Sequence, residues 1–206
     1  MSEWLARTIG VMSSVSRVGR PRASSCEMLE EAAGELFLEQ GYARTSIADI
    51  TQRAGVSRNT FFNYFTTKAD LLWFAFDDTF SCLNDTLIAG HTGSVGVREA
   101  AIGALRLLAG ELPPENVALA FANAEPMGLV DELKQAAALR TATIGAAIAT
   151  FAVSRGVPPM RAEVAGLAYA GALIAAIGAW SRAGAGNHCL RALLEEALEP
   201  IQYALP

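Results

Sequence analysis

The chain has 206 residues, 52% of them apolar, and a formal net charge of −5. That is length and apolar content for one large domain, or for a small domain joined to a larger one, with a sizeable core. Three widely spaced cysteines (Cys26, Cys82 and Cys189), no CxxC and two histidines without metal-ligand spacing argue against a disulfide framework and a metal site.

Alanine and leucine dominate while β-branched residues are modest, which predicts an all-α fold. Residues 1–18 read as a flexible N-terminal extension. A start codon placed too early is the alternative, with Met12 the true start and residues 1–11 not native. Met1 to Met12 has no basic region followed by an apolar run, so no secretory signal is read and the expected compartment is cytoplasmic. Cys26 lies near a helix start, where a thiolate is favoured; reduced, mostly buried thiols are the plainer reading.

A first unit spans residues 19–67. It opens with Gly19-Arg20-Pro21-Arg22, an arm whose Arg20 and Arg22 either enter a narrow minor groove or stay a solvated tail. The first helix shows an apolar stripe, Leu29, Ala32, Ala33, Leu36 and Phe37, and ends at Gly41. Ser46 is the expected N-cap of the second helix, with Asp49 three residues on as in a capping box; Ile47, Ile50 and Ala54 are its buried side. Gly55 permits a sharp turn. Ser57 then caps a third helix anchored by Phe61 and Phe65, leaving Arg58, Asn59, Thr60, Asn63 and Tyr64 facing outward.

Three helices, the last two joined by a tight turn, make a helix-turn-helix, and a polar last helix suits a DNA major groove. Between Arg17 and Asp70 there are seven basic and seven acidic residues, but five of the acids lie on the first helix, Glu27 to Glu39. Outside that helix the segment is basic, as a double-stranded DNA partner requires. Arg58 suits guanine and Asn59 adenine; Thr60 and Asn63 reach bases or backbone, and Tyr64 donates to a phosphate. Lys68, Thr45 and Ser46 stand at helix starts, where phosphate binds.

These residues resemble the TetR family of bacterial transcriptional regulators. The resemblance rests on Ala33-x-x-Leu36-Phe37, Gly41-Tyr42-x-x-Thr45-Ser46-Ile47, Ile50, Ala54-Gly55-Val56-Ser57, Phe61-Phe62-x-Tyr64-Phe65 and Thr67-Lys68-x-x-Leu71, dense over about residues 25–75. It implies three N-terminal helices for DNA and the others for effector binding and dimerisation. It also implies repression of a palindromic operator that a small ligand relieves. By position, Arg58, Asn59, Thr60, Phe62, Asn63 and Tyr64 fall on the recognition helix, and Lys68 on the phosphate-contacting lysine. Phe62 stands where a tyrosine is more usual, which removes one hydroxyl contact. The Thr-Phe-Phe-Asn-Tyr-Phe version is similar to an actinobacterial subgroup, some of whose members resemble mycofactocin-associated regulators.

Residues 68–206 form the expected ligand-binding and dimerisation domain, for about nine helices in all. Thr67 caps a fourth helix with Asp70 at N3, running past Leu87. The fifth is read over 97–112, the sixth over 115–123, the seventh over 129–154, the eighth over 161–183 and the ninth over 188–203. Val164 to Trp180 carries no charge but falls short of the ~20 residues a membrane span needs, so a buried helix is read and no membrane. Trp73, Phe76, Phe80, Phe121, Met127, Phe151 and Trp180, with Asn84, Asn123 or Glu125 as polar handles, are candidates for an apolar effector pocket or plain core. Gly166, Ala170, Leu173, Ile174 and Ile177, with Leu190, Leu194 and Leu198, are candidates for a two-fold homodimer contact. No catalytic residue is read: the chain shows no nucleophile–base pair, no Gly-rich phosphate loop and no cofactor signature. A helical-bundle enzyme is therefore a distant alternative, and a ligand-independent regulator or activator a nearer one.

Overall fold

In the computed structural model, residues 25–90, 95–113, 116–184 and 189–206 are described. The extension 1–18, Arg20, Arg22, His91 and His188 lie outside them. Every regular element among the described residues is helical: α1 (Ser25–Gln40), α2 (Ile47–Ala54), α3 (Arg58–Tyr64), α4 (Asp70–Phe80), α5 (Leu83–Gly90), α6 (Val97–Glu111), α7 (Asn116–Ala122), α8 (Ala124–Met127), α9 (Val130–Ser154), α10 (Pro159–Ala183) and α11 (Leu190–Leu198), with a closing 3-10 turn, Glu199–Ile201.

The excess over nine helices has local causes. The Asp70 carboxylate accepts from the Thr66 and Thr67 amides at 2.9 and 2.8 Å, closing a turn, so α4 begins at Asp70 rather than behind a Thr67 cap. Its expected continuation is broken after Phe80, where Ser81 Oγ and the Ser81 amide both bond the Asp78 carbonyl (2.7 and 3.2 Å) and compete with helical bonds. The sixth expected helix corresponds to α7, and the short α8 is an additional element beyond its expected end; between them the Asn123 side-chain amide donates to the Leu119 carbonyl at 3.0 Å.

α1 lies against α2 and α3 on one side and α4, α7 and α8 on the other, so one apolar stripe (Leu29, Ala33, Leu36, Phe37) holds both units together. α10 is the central post of the larger unit, flanked by α9, α11 and α7. Gly166 lets α10 touch α9 backbone to backbone: a Cβ there would collide with the Gly145 carbonyl. Both helices are long and apolar enough to cross a membrane by length and composition. α10 nonetheless buries Ala165, Tyr169, Leu173, Ile177 and Trp180 within the chain, as a core helix does.

That burial corrects the expected dimer residues. Gly166, Ala170, Leu173, Ile177, Leu190, Leu194 and Leu198 are all buried inside one chain, and Ile174 is half-buried. The outward apolar row of α10 is a different one: Met160, Val164 and Leu167 are 73%, 61% and 44% exposed.

Candidate nucleic-acid interface

The turn between α2 and α3 is built from reciprocal caps. Ser46, in extended conformation (φ −95°, ψ 159°), accepts from the Asp49 amide at 3.2 Å, while the Asp49 carboxylate accepts from the Ser46 amide at 2.8 Å. That backbone bond, with the Ser46 hydroxyl, holds the Asp49 carboxyl below its ordinary value. Gly55 ends α2 at φ 68°, a conformation that needs glycine, and Val56 donates to the Thr51 carbonyl at 3.0 Å. Ser57 Oγ then accepts from the Thr60 amide at 3.0 Å and starts α3.

α3 therefore leaves the turn in a fixed direction. Phe61 and Phe65 are buried beneath it, and Arg58, Asn59, Phe62, Asn63 and Tyr64 are exposed on it. Phe62 and Tyr64 are 51% and 55% exposed, too much for core aromatics. Thr60 is half-buried with its hydroxyl 2.8 Å from Ser57 Oγ, so it braces the helix start.

Thr45 is corrected. It is 1% exposed, and its hydroxyl bonds the Gly41 carbonyl at 2.9 Å and accepts from Gln40. That side chain cannot meet a phosphate. Ser46 stays exposed, though its hydroxyl is engaged in the cap. Arg53, which has the charge for DNA, instead spans Glu35 and Glu39 of α1 at 2.8 Å each and pins α2 to α1.

Lys68 turns inward. Its ammonium donates to the carbonyls of Tyr42 (2.5 Å) and Thr45 (2.9 Å) and sits 3.9 Å from the Tyr42 ring centroid. Burial holds this ammonium below its ordinary value, with Glu132 opposing, and burial pushes the Tyr42 phenol up to about 12. The Tyr42 amide in turn donates to the Met127 carbonyl at 2.8 Å. The start of α4, the α1–α2 loop and the end of α8 are thereby one joint. Cys26 is buried, and its thiol is pushed up by burial and then by Glu30, as the plainer reading of a buried thiol has it, whereas Cys82 and Cys189 are exposed.

The expected effector residues divide. Phe76, Phe80 and Asn84 line one cleft of about 360 Å3 between α4, α5 and α9, together with Leu83, Leu139 and Ile144. Trp73 lies behind it, edge-on to Phe76 and Phe121. Met127 is buried elsewhere, near Leu71, Leu72 and Ala33; Phe151 and Trp180 belong to the core, and Asn123 serves its own turn. Glu125 is exposed. Missed in the sequence are Arg140 and Asp77, an ion pair at the cleft (Nε–Oδ1 2.8 Å). Arg140 had a signal: it is the one charged residue between Lys134 and Arg155.

Residues 29–72 match the family model of bacterial regulatory proteins, tetR family. The matched residues run from α1 through α2 and α3 to the start of α4. Over 62 residues it is 37% identical to a Mycobacterium tuberculosis (strain ATCC 25618 / H37Rv) protein whose assignment as the mycofactocin biosynthesis transcriptional regulator MftR is itself provisional. That match takes in 30% of this chain and 31% of the relative, so the chain aligns with about a third of that protein's length. In fold the chain is similar to Thermus thermophilus FadR, described as a TetR-family transcriptional repressor and solved with lauroyl-CoA. There the TM-score is 0.56 at 23% identity, over 88% of this chain and 95% of that one. It is also similar to the dihydroxyacetone kinase operon activator DhaS, with a TM-score of 0.51 at 18% identity, over 88% and 96%. At those identities the likeness is one of fold.

Proposed function

We propose that this chain is a cytoplasmic, homodimeric transcriptional regulator that binds a palindromic operator and releases it when a small amphipathic ligand enters the α4–α5–α9 cleft. The carrying observation is the exposed row Arg58, Asn59, Asn63 and Tyr64 on a short helix whose direction is set by caps on both sides. Arg58 and Asn59 read base edges; Tyr64 meets the backbone, while both Ser46 donors stay on Asp49. Phe62 offers a thymine methyl an apolar partner.

Two half-sites one DNA turn apart, ~34 Å, call for two copies. The dimer reading now rests on the exposed face Met160, Val164 and Leu167 of α10, beside Ala146 and Val153 of α9. Helix edges brought this close by Gly145 and Gly166 offer a flat apolar surface. Repression is the sign that the resemblance of the helix-turn-helix residues to the family implies. The activator DhaS keeps the second sign open as an alternative reading.

The test is binding of purified protein to the DNA flanking its own gene, with scrambled DNA as competitor, across salt. Competitor-resistant binding is the expected outcome. Equal, weak binding to both DNAs, with no site recovered from random sequence, overturns the reading.

A further inference from the structure

The α4–α5–α9 cleft is walled mainly by Phe76, Phe80, Leu83, Leu139 and Ile144, and one fixed cation stands at it. The Arg140 side chain is 14% exposed, against 48% for its partner Asp77. Arg140 Nε and Nη2 bond the two Asp77 oxygens, and Nη1 donates to the Ala136 carbonyl at 3.2 Å. Its guanidinium carbon lies 4.3 Å from the centroid of the Trp73 ring. The cation is thus held by its own helix and by a ring, whatever Asp77 does. Asp77 is half in water, so leaving costs it only an exposed carboxylate's interaction.

We propose that the cleft takes an amphiphilic monoanion, an apolar body bearing one carboxylate, and that this carboxylate replaces Asp77 on Arg140. The inference rests on the reading of the cleft as the effector site. A planar guanidinium prefers a bidentate oxyanion, and the exchange swaps one carboxylate for another without leaving the buried charge bare. A neutral ligand would leave the ion pair intact, and a cation would face Arg140. At about 360 Å3 the cleft suits a short chain or a single ring, near the lower end of ~300–1,000 Å3 for ligand sites. The exchange also has a mechanical consequence. Asp77 lies on α4 and Arg140 on α9, so losing their bond unties α4 from α9 at the cleft. The other end of α4 adjoins the Lys68 joint with the DNA-facing unit. Ligand binding and DNA release then draw on one ion pair.

The experiment is calorimetric titration of the full-length protein with octanoate, decanoate and 4-phenylbutyrate, each beside its alcohol, and with decylamine. An acid should bind at least about tenfold tighter than its alcohol and than decylamine. Arg140→Met should erase that preference, Arg140→Lys should keep part of it, and Asp77→Asn should tighten acid binding by removing the competitor. Melting curves of each variant separate lost binding from lost folding. No preference for any acid, or a preference that survives in folded Arg140→Met, overturns the proposal. DNA binding by the ligand-free protein is measured on the same samples. Specific DNA binding without acid preference sinks this inference alone, whereas acid preference without DNA binding upholds the site and sinks the regulator reading.

Discussion

Lys68 and Tyr42 are locked together across the joint between the two units: the ammonium lies 3.9 Å from the ring centroid and 2.5 Å from the same residue's carbonyl. With Thr45 as second acceptor, two of the three ammonium donors are used on backbone. The lysine therefore positions the α1–α2 loop, and with it the start of α2, relative to α4. Any phosphate it meets is met by the remaining donor.

Lys68→Met should be destabilising, because it leaves two carbonyls short of a partner. A loss of about 1–2 kcal/mol corresponds to a fall in Tm of roughly 2–8 °C. Thermal denaturation followed by circular dichroism checks this. An unchanged Tm together with a salt slope of DNA binding reduced by about one would instead assign the residue wholly to phosphate.

Two glycines should respond in opposite directions. Gly166→Ala drives a methyl into the Gly145 carbonyl and should cost about 1–3 kcal/mol. Gly103, within α6, has nothing within 4 Å of an added Cβ, so Gly103→Ala should stabilise by about 0.5–1 kcal/mol. Urea denaturation of both variants tests the α9–α10 contact against ordinary helix propensity.

The helix-turn-helix was legible because its signals are local. Ser46 and Asp49, Gly55, and Ser57 each act within four residues, and each cap forms as the sequence implies. The outward row of α10 was not legible. α10 is apolar on nearly every side, so periodicity could not tell the row Leu173–Ile177, which faces the chain's own core, from Val164–Leu167, which faces out. A small-residue stripe serves either contact, and it is Gly145, on the preceding helix α9, that shows Gly166 is used internally. The pocket was half legible for a similar reason: Trp73, Met127 and Phe151 have the same composition whether they line a cavity or fill a core. The break after Phe80 carries no Gly or Pro, so nothing announced it.

Acid should weaken the α2 cap in a defined window. The folded-state value of Asp49 lies below its ordinary 3.8, so its stabilising contribution is complete above that value and is lost as pH falls through the folded-state value. Asp49→Asn should lower Tm near neutrality and flatten the decline of Tm toward a pH of about 3. A decline equally steep in both proteins would contradict the assignment.

Val164→Arg should convert dimer to monomer in sedimentation velocity while leaving helix content intact, since Val164 is 61% exposed. Leu173→Arg, at a fully buried site, should unfold the chain instead. A Val164→Arg protein that remains dimeric would move the interface elsewhere.

The central claim, that α3 reads DNA sequence in a two-fold dimer, is tested most directly by selecting duplexes from a random pool with the wild-type protein and with Arg58→Ala. The account predicts an inverted repeat with half-site centres about one helical turn apart. It also predicts that Arg58→Ala costs about 1–3 kcal/mol on that repeat and far less on unrelated DNA. Enrichment of no symmetric sequence, or of the same sequence equally well by both proteins, would contradict it.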